Sequence, residues 1–226
     1  AVYQPILDLR TNRIYGFEAL ARFSCEKYGL VMPNEFIPIA EESGLIIGLG
    51  LEILEQGCKF LCEMDEKGLS KVNVSVNVSA IQLIGDDFFE RLKEILVRTE
   101  ANPEQLTLEL TESIFANNFN EVNAKLSRIR EIGIRIAIDD FGTGYSSLAR
   151  ERELSVDSLK IDKRFVDKIN NLEKGESITG DIISMAHKLG HLVVAEGVEE
   201  QLQMDYLKAH HCNYIQGYLY SKPLTK

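Results

Sequence analysis

The sequence predicts an α/β fold, a TIM-like (β/α)8 barrel with one antiparallel strand at its N-terminus. Three observations carry that prediction. Eight short β patterns are spread over 226 residues, and six of them alternate with helical patterns. The first two β patterns are separated only by Arg10-Thr11-Asn12-Arg13, too short for a parallel crossover, so they pair antiparallel. Hydrophobic residues make up 45% of the chain, enough for one sizeable core, and no linker, repeat or low-complexity stretch divides it.

In order, "VYQPILDL" (2–9) and "IYGFEALARF" (14–23) form the opening strands. A helix opened by Pro33-Asn34-Glu35 runs to about Glu42, and a longer one from about Gly48 to Lys67 stops at Gly68. Strands at 71–79, 106–113, 134–140, 157–162 and 191–197 then alternate with helices at about 86–99, 119–132, 176–189 and 199–209. A glycine turn and a short helix follow the strand at 134–140. "YIQGYLY" (214–220) closes the barrel.

The net charge of −10 argues against a duplex nucleic acid or an anionic membrane as partner, since either needs a basic face. It leaves room for a phosphate-bearing ligand, because bound divalent cations reverse a local field. No apolar run has the length of a membrane span and no signal peptide is evident. Cys25, Cys58, Cys62 and Cys212 lack zinc spacing, so reduced thiols in a cytoplasmic compartment are expected. The chain enters a strand pattern at Ala1 without an initiator Met. The expectation is a single domain, 1–226, belonging to a longer protein.

In such a barrel the C-terminal strand ends converge on one mouth. Read strand by strand, that mouth holds Glu18 with Leu20 and Arg22 on its face, then Asn77, Glu109 and Glu112. Asp139 and Asp140 follow, then Lys160 and Asp162, Glu196 and Glu199, and Gln216. Each has an ordinary reading alone: Glu109 on a wet face, Glu112 as a cap, Lys160 snorkelling to solvent. Jointly, uncompensated carboxylates would cost several kcal/mol in repulsion and desolvation. Removing Glu18 would then relieve repulsion and leave stability unchanged or higher. Oxygen ligands without Cys or His favour Mg²⁺ or Mn²⁺. Two ions a few ångströms apart would account for adjacent carboxylates, with Asp139 bridging both while Gly142 and Gly144 permit the turn. His187, His191, His210 and His211 lie away from the strand ends.

Seven segments in order, "FEALARF" (17–23), "VNVSAIQL" (76–83), "LELTES" (108–113), "IAIDDFGTGYSSL" (136–148), "LKID" (159–162), "AEGVE" (195–199) and "QGYLYSKPL" (216–224), resemble the EAL-domain cyclic di-GMP phosphodiesterases across essentially the whole chain. The resemblance implies that Glu18, Asn77, Glu109 and Asp139 hold one Mg²⁺ or Mn²⁺, and Asp139, Asp140 and Glu196 the second. It implies that Lys160 positions the attacking water and that Glu112 steadies the glycine loop. Gln4, Leu20, Arg22, Asp162, Glu199, Gln216 and Pro223 would contact the dinucleotide.

The implied reaction is hydrolysis of one phosphodiester of cyclic di-GMP to linear pGpG, in bacterial signalling, with Ca²⁺ inhibiting. A homodimer is implied as well, although Arg150, Glu151 and Ser155 depart from the family's usual residues in a region used for dimer contacts. Two rivals remain at this point. One is a silent barrel that binds the nucleotide or a protein without cleaving. The other is a metal phosphatase for other esters.

Overall fold

The computed structural model describes residues 1–142, 154–171 and 178–225. Among them, eight strands close a barrel: β1 (Val2–Asp8), β2 (Arg13–Leu20), β5 (Asn73–Asn77), β6 (Leu106–Thr111), β7 (Arg135–Phe141), β8 (Ser158–Ile161), β9 (Leu192–Ala195) and β10 (Tyr214–Ile215). β1 is antiparallel to both β2 and β10, whereas the remaining pairs are parallel. The turn after β1 is tight because Asp8 accepts from the amides of Arg10 and Thr11, and Asn12 takes φ 55°.

A hairpin that the sequence reading did not separate, β3 (Phe23–Cys25) and β4 (Gly29–Val31), follows β2 and stands outside the barrel. The helices are α1 (Pro33–Glu42), α2 (Ile46–Glu66), α3 (Ala80–Ile84), α4 (Phe88–Thr99), α5 (Phe115–Glu131), α6 (Lys163–Asp167), α7 (Ile178–Lys188) and α8 (Gln201–Ala209). α5 starts four residues before the expected 119, and β10 is far shorter than the 214–220 pattern suggested. The expected short helix after the glycine turn falls outside the described residues, as do Gly144, Arg150 and Glu151.

The core follows from strand alternation. Val74 and Val76, Leu106, Leu108 and Leu110, Ile136 and Ile138, Leu159 and Ile161, and Val193 and Ala195 are buried. Their intervening neighbours Ser75, Thr107, Glu109 and Lys160 are buried too, but on the opposite face of each strand. The apolar set therefore faces the helices, and the polar set fills the barrel interior. α2 presents Ile53, Leu54, Cys58, Leu61 and Met64 to that apolar face, and Gly57 lets it approach, since a Cβ there would sit 3.0 Å from Val76. It ends where Gly68, at φ 78°, donates to Asp65.

At the strand starts, Arg135 donates to the Tyr15 hydroxyl and the Asn73 side chain at 2.8 and 2.9 Å. The Tyr15 ring stacks on Tyr214. That polar and aromatic plug occupies the end of the barrel opposite the acidic residues. The chain ends meet beside β1, where Tyr3 and Leu224 exchange two backbone hydrogen bonds of 2.8 Å.

Candidate metal centre

At the other end, the last residues of the parallel strands bring the acids together around one lysine. Lys160 is only 1% exposed. Its Nζ lies 2.5 Å from Glu109 Oε2 and 2.6 Å from Glu196 Oε1, with Asp139 Oδ1 at 3.5 Å and Glu18 Oε1 at 3.6 Å. Three strands and the residue just after β9 thus contribute carboxylates to a single ammonium carried on β8.

Glu18 is held from both sides. Asn77 donates to its Oε1 at 2.7 Å, and Gln216 donates to its Oε2 at 2.6 Å. The Gln216 amide also donates to Gln4 Oε1, and Gln4 in turn donates to the Ser221 carbonyl. Gln4 lies opposite Glu18 in the β1–β2 register, so the antiparallel strand is what brings it to the mouth. Nothing in local sequence links Gln4 with Gln216, which enter from opposite ends of the chain.

β7 carries the two aspartates just before its last residue, Phe141. The Asp140 amide donates to Asp139 Oδ1 at 2.9 Å, and Asp140 itself takes φ 55°. The reversal therefore begins at an aspartate and continues at Gly142, at φ 89°, rather than resting on glycine alone. The Gly142 amide donates to Glu112 Oε2 at 3.1 Å, which ties the start of the glycine turn to the segment after β6. Oxygens of Asp139, Asp140 and Glu196 all lie within 4.8 Å of one another.

The charges distort one another. Burial works against the Lys160 ammonium, but Asp139, Glu109, Glu18 and Glu196 outweigh it and hold its pKa well above the ordinary value. Burial also opposes ionisation of Glu18. Lys160 and the two amides more than offset that, so its carboxyl stays below its ordinary range. Glu109 and Glu196 fare differently. Burial and neighbouring carboxylates outweigh their share of the lysine, raising Glu109 well above its usual range and Glu196 to about 8. Asp140 is pushed up to about 6 by burial, by Asp139 and by a hydrogen bond with Asp162. Burial would raise Asp162 too, but bonds from the Arg164 side chain and amide leave it below its ordinary value.

The remaining expected positions are scattered around this centre. Asp162 caps α6 by accepting from the Arg164 amide. Glu199 is exposed and paired with Lys163 at 3.1 Å. Arg22 donates to the Ala21 carbonyl rather than to the cluster, and Leu20 and Pro223 are half-buried. Lys163 itself was missed by the sequence reading. Its stem covers Gly197, where a Cβ would meet it at 2.4 Å, so it braces the loop that follows Glu196.

The comparisons with known proteins agree with one another. The family model described as EAL domain matches residues 1–223. The signalling protein YkoW of Bacillus subtilis is 40% identical over 222 residues, which is 98% of this chain and 28% of that protein. The cyclic di-GMP phosphodiesterase NbdA of Pseudomonas aeruginosa is 39% identical over 222 residues, again 98% of this chain and 28% of the relative. The chain therefore spans little more than a quarter of the length of these curated relatives. Among solved structures, the PaMucR phosphodiesterase in its c-di-GMP complex superposes with a TM-score of 0.93 at 33% identity, covering 99% of this chain and 90% of that one.

Proposed function

The chain belongs to the EAL domain family, and on that premise we propose that it hydrolyses cyclic di-GMP to linear pGpG with two Mg²⁺ or Mn²⁺ ions. The observation that carries this reading is the convergence of Glu18, Glu109, Asp139 and Glu196 on Lys160. One ammonium faces five carboxyl groups, and the raised pKa values of Glu109, Glu196 and Asp140 show that the cluster is short of positive charge. An all-oxygen set with an unbalanced negative charge fits hard divalent cations. Glu18, Asn77, Glu109 and Asp139 would hold the first ion, and Asp139, Asp140 and Glu196 the second. Such ions supply an acidified water and neutralise charge on the phosphoryl oxygens.

The protein's own groups do the rest. Lys160 stays protonated among its carboxylates, so it serves as an electrostatic element that orients water, not as a proton acceptor. Glu112 holds the Gly142 amide and through it the turn carrying Asp140. Gln216 and Asn77 keep Glu18 aimed at the centre. Arg22 offers a planar fork for guanine or phosphate. Gln4, Leu20, Asp162, Glu199, Gln216 and Pro223 complete the substrate surface. In this reading residues 1–226 form one phosphodiesterase domain of a longer cytoplasmic signalling protein, pairing as a homodimer. Neither duplex nucleic acid nor membrane is its target. No helix among the described residues is long and apolar enough to cross a membrane.

The test is direct. Purified chain is incubated with cyclic di-GMP and Mg²⁺, Mn²⁺ or Ca²⁺, and pGpG is quantified by chromatography. Turnover is expected with the first two ions. Ca²⁺, which prefers longer bonds and more ligands, should compete without supporting it. Tight nucleotide binding without pGpG under any of the three would replace the enzyme with a receptor.

A further inference from the structure

We infer that Lys160 is an exchangeable counter-ion, which occupies the carboxylates of both proposed ion sites at once and sets how tightly the chain takes up divalent cations. The inference rests on the two-ion reading above and goes beyond it. The shortest contacts of the ammonium fall on Glu109 and on Glu196. Those two residues belong to different proposed ligand sets, and Asp139, common to both, is the third neighbour. A single side-chain cation therefore spans the place where two inorganic ones would sit.

The wall of the barrel explains why. Lys160 lies between Leu159 and Ile161, both buried against the helices, so strand alternation directs its side chain inward. Five buried or half-buried carboxylates without a resident cation would oppose barrel closure. A lysine anchored on β8 supplies that cation permanently and cannot diffuse away. The same charge then competes with incoming metal: each carboxylate an ion takes must be released, at least in part, by the ammonium. Folding without metal and avid metal uptake pull in opposite directions, and Lys160 is the residue on which they meet.

The experiment uses chelator-treated protein in three forms: unaltered, Lys160→Met and Lys160→Arg. Mn²⁺ binding is measured by calorimetry, and thermal unfolding is followed with and without Mn²⁺, with no nucleotide present. Removing a unit charge in contact with the ligands should tighten Mn²⁺ binding on the order of tenfold or more in Lys160→Met. The same variant should melt several degrees lower without Mn²⁺ and recover most of that loss when the ion is added. Lys160→Arg, which keeps the charge, should behave like the unaltered chain in both measurements. Unchanged or weaker Mn²⁺ binding in Lys160→Met overturns the inference. So does a variant that is unfolded with and without Mn²⁺, because Lys160 would then be an irreplaceable core group. Failure of the enzymatic reading looks different: no pGpG from the unaltered chain, while the Mn²⁺ gain of Lys160→Met persists.

Discussion

Glu18 shows how a neighbour changes the expected effect of a single substitution. Taken as one charge in a repulsive cluster, it should be removable at no cost to stability. In the structure it is the acceptor for both Asn77 and Gln216, and its carboxyl is held below its ordinary pKa. Glu18→Ala would leave the buried Gln216 amide with only its bond to Gln4, while the exposed Asn77 amide can turn to water. A buried donor that loses one of its bonds costs about 1 kcal/mol. The variant is therefore expected to lose both pGpG formation and about 1 kcal/mol of stability in urea titration. Unchanged stability would mean that water or a shifted side chain satisfies the Gln216 amide. The list of strand-end acids was legible in the sequence because a barrel sends every parallel strand end to one mouth. The bonds among them were not, since period two gives a face but not a partner.

At the scale of elements, the parallel strands and the long helices were readable from pattern alone, and what escaped was short or closed by distant contacts. The hairpin Phe23–Val31 has three-residue strands, too few for alternation to register. α3 has five residues and owes its start to a capping box between Ser79 and Gln82. β10 is cut to Tyr214–Ile215 because the chain after Gln216 folds back over the β9–α8 loop: Gln216 accepts from the Val198 amide, and Leu219 donates to the Val198 carbonyl.

Gly217 makes that crossing possible. A Cβ there would lie 2.0 Å from the Val198 carbonyl oxygen and 2.3 Å from its nitrogen, and neither backbone atom can rotate away. Gly217→Ala is expected to cost about 3 kcal/mol, the upper end of ordinary overpacking. Because Gln216 adjoins it, the Glu18 contact should loosen as well. A urea midpoint within error of the unaltered protein would show that the crossing has slack.

Taken as a whole, the molecule carries a net charge of −10, and a sharp concentration of that charge lies in one mouth. Its stability should therefore depend on pH in a direction opposite to that of a protein held by salt-bridged acids. Glu196 and Asp140 have folded pKa values of about 8 and about 6, above those of the unfolded chain. The folded state keeps protons that the unfolded state releases, so this contribution is present at low pH and is lost as pH rises through those values. Glu18 and Asp162 act in the reverse sense, but only on acidification through their lowered values. Chelator-treated protein is expected to melt at a lower temperature at about pH 8.5 than at about pH 6, and added Mn²⁺ should narrow the gap. A melting temperature that climbs across the window would indicate that Lys160 already neutralises the cluster.

The bridge between Tyr3 and Leu224 has a mechanical consequence. In an antiparallel pair, the segment entering Tyr3 and the segment leaving Leu224 exit on the same side. Tension applied to the two ends thus opens the two bonds of this bridge in turn, instead of loading both in shear. The next residue in line is Gln4, tethered to the Ser221 carbonyl and to the Gln216 amide that holds Glu18. Val2 and Tyr3 are also paired with Leu20 and Ala19 of β2, so a pull from the N-terminal side loads that ladder too before it reaches Gln4 and, through Gln216, an acid of the barrel mouth.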